Sequence, residues 1–314
     1  MKNKKIIIAG GSGFIGSELS KYFASDNEVV ILSRHIKESD NKNIRFVQWN
    51  GKDAGDWCKE IDGSDVIINL TGKSVNCRYN EQNKKEILDS RINAAKVIGE
   101  VVRQSTHPPK LWLNAASATI YREARDKPQD EYATEIGKGF SVGICKEWEA
   151  AFFEQTTPHT RKVAMRISIV LGNGGVMVPY LNLCKFGLGG KQGDGKQMFS
   201  WIHVEDVCRI IDFVEADDSI SGPINMCSPN PVPNKELMQT ICDVTGNKIA
   251  LPAYKWMLKL GAWMIGTETE LILKSRWVLP TKLLEHGYTF QHHQLKEAVE
   301  NIVNQLPRKR YRLF

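Results

Sequence analysis

Three glycines open the chemical reading of this chain. Gly10, Gly13 and Gly16 stand in GGSGFIG, directly after the apolar run from Ile6 to Ala9. A glycine at the first position permits a tight turn after a strand. At the second it lets a pyrophosphate approach the backbone, and at the third it lets a helix pack on the strand. Phe14 and Ile15 then fall where a starting helix offers free N–H groups to phosphate oxygens. These five residues together predict a dinucleotide site. Which dinucleotide is set by the next strand, EVVILSR, which ends in Ser33 and Arg34. An NAD site usually has an Asp or Glu there to hold the ribose 2′-hydroxyl. A carboxylate would repel a 2′-phosphate, whereas a guanidinium holds one through paired, charge-assisted hydrogen bonds. Ser33 and Arg34 therefore point to NADP(H).

Such a site needs a scaffold of alternating strands and helices, and the pattern supplies one. ELSKYFAS follows the glycines at helical spacing, and NEQNKKEILDSRINAAKVIGEVVRQS reads as one long helix. Between them and beyond, IRFVQW, DVIINL, KLWLNA and KVAMRIS read as strands. The alternation predicts an α/β fold, a Rossmann-like doubly wound parallel sheet with helices on both faces.

After VLGNGG the pattern changes. GVMVPYLNLCKF looks helical, and a glycine- and lysine-rich loop, GLGGKQGDGKQ, leads into the strand FSWIHV. NKELMQTICDVTG is an amphipathic helix bounded by Asn234 and Gly246. The NADP(H)-binding domain is accordingly placed at 1–171 plus 201–228, and a smaller mixed α/β substrate lobe at 172–200 plus 229–314. Lys191 and Lys196 on the loop suit an anionic small-molecule substrate. The tryptophan- and methionine-rich YKWMLKLGAWMIG is expected to pack into a core.

Bulk properties narrow the classes further. The 314 residues allow one large domain or two joined ones, and 42% hydrophobic with 25% charged residues is the balance of a soluble globular chain. A net charge of +6 fits an anionic ligand without pointing to nucleic acid. The seven cysteines are scattered with no CxxC pair, the usage of a reducing compartment, with neither a disulfide framework nor a zinc site. No signal peptide is expected before the opening strand, and the apolar stretch WMLKLGAWMIG is short and broken by Lys259. A cytoplasmic protein without membrane or nucleic-acid partners is the expectation. His292 and His293 have no matching carboxylate or cysteine cluster, so no metal site is expected. His203 reads as a packed strand histidine and Asp206 as the cap of the following helix. The basic tail PRKRYRLF reads as solvated.

GGSGFIG, DVIINLTG, ASATIY and WIHVEDV together resemble the extended branch of the short-chain dehydrogenase/reductase superfamily, which includes nucleotide-sugar epimerases and dehydratases. NLTGKSV, KKEILDSR, CKEWEAAF, GLGGKQGDGKQMFSWIHVEDV and SPNPVPNKEL resemble its epimerase-like subgroup with a C-terminal domain of unknown function. The resemblance covers nearly the whole chain and implies a Rossmann-like domain, a substrate lobe and a homodimer. Carried over by position, it implies that Leu70 and Thr71 pass the adenine and ribose side and that Glu86 and Arg91 are cofactor contacts. It also puts Val170 at the nicotinamide end and Asn93 near active-site water.

The superfamily's reaction uses a serine or threonine, a tyrosine, and a lysine one helical turn later. The ammonium lowers the phenol pKa so that the tyrosine exchanges a proton as hydride moves. Ser117 matches the serine and Lys146 the lysine, but Val142 stands at the tyrosine position. Losing a positioned general acid costs a factor of about 10² to 10⁴ in rate. Lys146 keeps a second implied role, hydrogen bonding to the nicotinamide ribose. Tyr121, Glu131, Tyr132 and Cys145 are weighed as replacements and none is assigned. Cys145 adjoins Lys146, a setting that lowers a thiol pKa, although a helix cysteine more often packs as a small hydrophobe. Two readings stay open. One is an NADP(H)-dependent oxidoreductase or epimerase acting on a small carbonyl or hydroxyl substrate, for instance a nucleotide-sugar. The other is a non-catalytic NADP(H)-binding protein that senses redox state or regulates a partner. Ser117 and Lys146 favour the first, Val142 the second.

Overall fold

The computed structural model describes residues 1–254, 256–258 and 273–312. The strands are β1 (Lys5–Ala9), β2 (Glu28–Ser33), β3 (Ile44–Gln48), β4 (Val66–Asn69), β5 (Leu111–Ser117), β6 (Arg161–Ile167), β7 (Ile169–Leu171), β8 (Met198–Phe199), β9 (Trp201–His203), β10 (Gly222–Met226) and β11 (Val232–Pro233). The helices are α1 (Phe14–Phe23), α2 (Cys58–Ile61), α3 (Glu81–Gln104), α4 (Phe140–Phe153), α5 (Met177–Lys185), α6 (Val204–Ala216), α7 (Asn234–Thr245), α8 (Thr281–Glu285) and α9 (Leu295–Asn304).

A parallel sheet of seven strands in the order β10-β6-β5-β4-β1-β2-β3 is the centre of the molecule. Its inner strands are apolar on both faces because helices cover both. Ile6 and Ile8 of β1 join Leu19 and Phe23 of α1 and Val207, Ile211 and Val214 of α6. Ile7 and Ala9 face the other way, onto Ala94, Ile98 and Val102 of α3 and Phe152 of α4. This is the Rossmann-like fold expected from the alternating pattern. A third core gathers Leu181 of α5, Leu237 and Ile241 of α7, and Val299 and Ile302 of α9 around Trp201. Most of YKWMLKLGAWMIG lies outside the described residues. Among the described residues, no helix is long and apolar enough to cross a membrane.

The chain leaves β1 toward β2 and β3 on one side and returns to β4, β5, β6 and β10 on the other. The reversal opens a crevice beyond the C-terminal ends of β1 and β4, where doubly wound sheets bind their ligands. Gly10 turns there with φ +73°, and a Cβ on it would lie 3.0 Å from the Thr71 backbone. Gly16 lets α1 rest on the loop, since a Cβ there would stand 2.4 Å from Gly11 Cα. Both contacts are with backbone, which cannot swing aside. Gly16→Ala therefore lowers stability by about 1–3 kcal/mol, more than alanine's helix propensity returns. Urea unfolding of the variant reads this directly, and an unchanged midpoint would contradict the packing role.

One local expectation is corrected. Asp206 does not cap α6; that place is taken by His203, whose Nδ1 accepts the Glu205 N–H at 3.2 Å. Asp206 is fully buried and accepts from Tyr288 Oη at 3.0 Å, Gln291 N at 2.8 Å and His292 N at 2.9 Å. Three donors satisfy the buried carboxylate and moor the chain's C-terminal part to the sheet domain.

Candidate functional site

Around the crevice, the backbone and side chains of the predicted cofactor residues do different work. Gly13 ends the loop before α1, no side chain caps the helix, and a Cβ at Gly13 would find nothing closer than 3.9 Å. The Phe14 ring faces away from that opening. It packs beneath the loop after β7, where Cβ atoms on Gly172 and Gly174 would come within 2.7 and 2.8 Å of it. Ile15 is part of the apolar packing below. Ser33 is buried at the end of β2, while Arg34 is exposed and takes part in no ion pair among the described residues. Leu70 and Thr71 follow β4. Thr71 N donates to Asn69 Oδ1 at 3.0 Å, and the buried Thr71 Oγ1 has no hydrogen-bond partner among the described residues. A buried hydroxyl without a partner is an open demand for one.

Glu86 and Arg91 share α3 but not a task. Lys73 Nζ donates to Glu86 and, at 2.7 Å, to Asn83 Oδ1. Arg91 is largely buried, lying 4.9 Å over the Trp148 ring and donating to Lys73 O at 3.0 Å and Ile87 O at 2.8 Å. Burial pulls its pKa down, which marks a cation held without a carboxylate beside it. Asn93 is not brought to Ser117. Two residues beyond Arg91 it lies about 200° further round the helix, in a groove of about 690 Å³ with Lys96, Glu100 and Asp62. Val170 is buried in β7, paired with Ile202.

Ser117 ends β5 and accepts the Thr119 N–H at 3.2 Å, capping the turn that follows. Helix α4 packs on that turn through Cys145, which shares a small core with Ala118, Ile120 and Tyr121. Val142 is buried, 1% exposed, under the loop at Gly137. Gly137 N donates to Ile120 O at 2.9 Å, and a Cβ on Gly137 would meet Val142 Cγ2 at 2.9 Å. Lys146, one turn on, is exposed and makes no hydrogen bond or ion pair among the described residues.

The proposed stand-ins for the missing phenol are occupied elsewhere. Tyr121 Oη donates to Asn225 Oδ1 at 2.9 Å and accepts from Arg166 at 2.8 Å, and burial pushes its pKa up to about 12. Glu131 accepts from Asn225 N at 2.7 Å, and desolvation raises its pKa. Tyr132 is exposed and donates to Glu285 at 2.5 Å. Cys145 corrects the depressed pKa considered for it: burial pushes the thiol up to about 11, and Lys146 beside it in sequence points to solvent.

Beside this turn lies a cleft of about 1010 Å³ between the 122–138 loop and the glycine-rich loop. Arg122, Arg125, Lys138 and Lys274 line it with Asp194 and Tyr254. Lys191 and Lys196, the lysines singled out in the sequence, are exposed on the same loop but are not among its lining residues. Arg125 meets Asp194 at 2.7 Å and ties the two walls together.

His292 does have a carboxylate nearby, contrary to the sequence argument. Its Nε2 lies 2.9 Å from Glu205 Oε2, and its ring stacks on His203 with centroids 3.9 Å apart. Because His203 Nδ1 accepts an N–H, the proton of the neutral ring sits on Nε2, away from any lone-pair donation. His292 hydrogen-bonds Glu205 and stacks on His203, whose buried Nε2 has no hydrogen-bond partner among the described residues.

The network inside the domain was not anticipated from the residue pattern. Glu149 accepts from Arg166 Nε and NH2, both at 2.8 Å, and Arg166 also holds Tyr121. The one available signal was an arginine within the apolar strand KVAMRIS. Arg276, which donates to Thr119 Oγ1 at 3.2 Å, was likewise not anticipated.

A doubly wound parallel sheet, a glycine turn at its switch point and a serine-ended fifth strand define a Rossmann-like protein of the extended short-chain dehydrogenase/reductase type. The chain belongs to the NAD dependent epimerase/dehydratase family, whose model matches residues 6–227, and a domain of unknown function, DUF1731, matches residues 255–302. It is 32% identical to the epimerase family protein YfhF of Bacillus subtilis over 95% of this chain and 97% of the relative. The epimerase family protein SAR0825 of Staphylococcus aureus is 31% identical over 96% and 99%. Among solved structures, the human epimerase family protein SDR39U1 with NADPH superposes with a TM-score of 0.83 at 26% identity, over 96% of this chain and all of that one. A nucleoside-diphosphate sugar epimerase of Corynebacterium glutamicum gives 0.75 at 28% identity, over 96% of this chain and 58% of that one.

Proposed function

We propose that this protein binds NADP(H) at the switch point and works as an oxidoreductase or epimerase on a small, anionic carbonyl or hydroxyl substrate, without the usual phenol acid. The observation that carries the reading is Arg34, an exposed guanidinium at the end of β2 where NAD sites have an acid. The NADPH held by the human relative supports it. The residues present fit the group: the open backbone at Gly13, the uncapped start of α1 and the partnerless Thr71 Oγ1 all face demands a dinucleotide meets.

In this reading Gly10, Gly13 and Gly16 shape the pyrophosphate cradle, and the N–H groups of Phe14 and Ile15 bind it. Ser33 and Arg34 take the 2′-phosphate, and Leu70 and Thr71 the ribose side. Glu86 positions Lys73, Arg91 fixes the loop after β4, and Val170 lines the nicotinamide end. When bound, the nicotinamide supplies or accepts a hydride. Ser117 Oγ donates a hydrogen bond to the substrate oxygen, and Lys146 reaches the cofactor ribose. With Val142 in the phenol's place, the proton at the substrate oxygen passes through Ser117 Oγ or water in the cleft. Arg122 and Arg125 are ion-paired with Asp126, Glu135 and Asp194, so the exposed Lys138 is the lining cation that favours a phosphate- or carboxylate-bearing substrate.

Arg34→Ala weakens NADPH about tenfold to 100-fold while leaving NADH nearly unchanged, since the lost bonds are charge-assisted contacts to the 2′-phosphate alone. Calorimetry with both coenzymes measures this, and equal losses overturn the assignment. Turnover is tested with NADPH and a panel of aldehydes, ketones and nucleotide-sugars, followed by nicotinamide absorbance. Activity that disappears in Ser117→Ala supports catalysis. The second reading, a non-catalytic NADP(H)-binding redox sensor or regulator, is favoured by the buried Val142, whose side chain has no proton to exchange. It is the reading left if NADPH binds and no substrate turns over.

A further inference from the structure

Cys184 on α5 and Cys242 on α7 are 58 positions apart in the chain, yet their sulfurs lie 2.9 Å apart and share a hydrogen bond. Both side chains are buried, 1% exposed. The scattered cysteines of the sequence thus include one pair that the fold brings together. Gly189 roofs it: Cys242 Sγ donates to Gly189 O at 3.5 Å, and a Cβ on Gly189 would strike Cys242 Sγ at 2.4 Å and Cys184 Sγ at 2.5 Å. The roof belongs to the glycine-rich loop. Gly190 N donates to Leu251 O at 3.1 Å, Leu251 N to Gly187 O at 2.8 Å and Gly193 N to Ala253 O at 2.9 Å. Gly193 and Asp194 then continue into the wall of the cleft.

We propose that Cys184 and Cys242 are a redox-modification site, a dithiol that a hydroperoxide closes into a reversible disulfide stapling α5 to α7 beneath the cleft loop. The step balances as follows. The Cys242 thiolate attacks one oxygen of hydrogen peroxide, the O–O bond breaks, and the released hydroxide takes a proton to become water. The Cys184 sulfur then attacks the resulting sulfenic sulfur, the S–S bond forms, the S–O bond breaks, and a second water leaves with the Cys184 proton. Two thiols lose two protons and two electrons, and the peroxide becomes two waters. A thiol reductant reverses the bond by exchange.

The pair is chemically distinct from the other buried thiols. In the resting dithiol the Cys242 S–H faces Cys184 Sγ and Gly189 O; once that proton is lost, the Cys184 S–H turns to donate to the Cys242 thiolate, which lowers the Cys242 pKa, while the same contact raises that of Cys184. Cys145, Cys208 and Cys227 are pushed up chiefly by burial, and none of them has a thiol partner at bonding reach among the described residues. Thiolate character and an adjacent resolving sulfur therefore coincide at one place.

The test uses the full-length protein. Folded protein is treated with hydrogen peroxide, quenched, unfolded in N-ethylmaleimide and mapped by peptide mass spectrometry. Cys184 and Cys242 escape alkylation together, appear as one linked peptide pair, and become alkylatable again after dithiothreitol. The oxidised protein also unfolds at a higher temperature, by on the order of 5 °C, because the closed loop restricts the unfolded chain. That gain is absent from Cys184→Ser. Recovery of both residues as free thiols, a link to another cysteine, or sulfinic acid at Cys242 without a link overturns the proposal. The mapping needs no variant, so a serine variant that fails to fold leaves the test intact.

Discussion

Glu149→Ala lowers the unfolding free energy by about 3–5 kcal/mol, because it strands a buried guanidinium. Arg166 gives both its Nε and NH2 to this carboxylate at 2.8 Å, and its remaining contact is Tyr121 Oη, also at 2.8 Å. Both side chains of the pair are buried. Tyr121 in turn donates to Asn225 Oδ1, and Asn225 Nδ2 donates to Leu279 O at 2.9 Å. The network therefore runs from α4 through β6 to the turn after Ser117 and on to the returning C-terminal segment. Replacing both charges, Glu149→Leu with Arg166→Met, recovers most of the loss, since the desolvation of the ions disappears with their attraction. Urea unfolding of the single and double variants measures the difference. A single-variant loss below about 1 kcal/mol would mean that the pair behaves as an exposed one.

The same network explains why Tyr121 is no substitute for the missing phenol. A catalytic phenol must surrender its proton easily, and one buried against Asn225 with its pKa at about 12 does not. Val142 is buried against the Gly137 segment, and the 122–138 loop is hydrogen-bonded to the turn through Ile120. The cleft beside the turn is lined by both signs of charge, with Glu123 and Asp194 among Arg122, Arg125, Lys138 and Lys274, and Ser117 is not among its lining residues.

Much of this was legible in the sequence because it is encoded locally. The strand–glycine turn–helix unit needs residues 6–23 only, and the buried runs IIIA and VVIL announce a sheet covered on both faces. The site was less legible wherever it depends on the phase of a helix or on distant partners. Asn93 and Arg91 are two residues apart, so they cannot both face α4, and the packing of Arg91 on Trp148 sends Asn93 outward. Val142 and Lys146 share a helix face, yet only the first is covered, because Gly137 arrives from a loop whose path no periodicity predicts. Glu149 and Arg166 look like ordinary charges until α4 is laid on β6. The carboxylate beside His292 is Glu205, 87 positions earlier in the chain.

That histidine cluster gives stability a pH dependence with a definite sign. His203 is 3% exposed, and burial, followed by the neighbouring His292, lowers its pKa from 6.5 to about 4. Above the ordinary value both folded and unfolded chains carry a neutral ring, and the contribution is fully present. Between 6.5 and about 4 the unfolded chain takes up a proton that the folded chain refuses, so stability falls as pH falls. At about 1.4 kcal/mol per pH unit, the loss across this window is about 3 kcal/mol. His203→Asn keeps an oxygen that can accept the Glu205 N–H and removes the titration. Denaturant unfolding of both proteins from pH 7 to pH 4 should therefore give curves that converge as the wild type loses this increment. Parallel curves would show that His203 is protonated inside the fold.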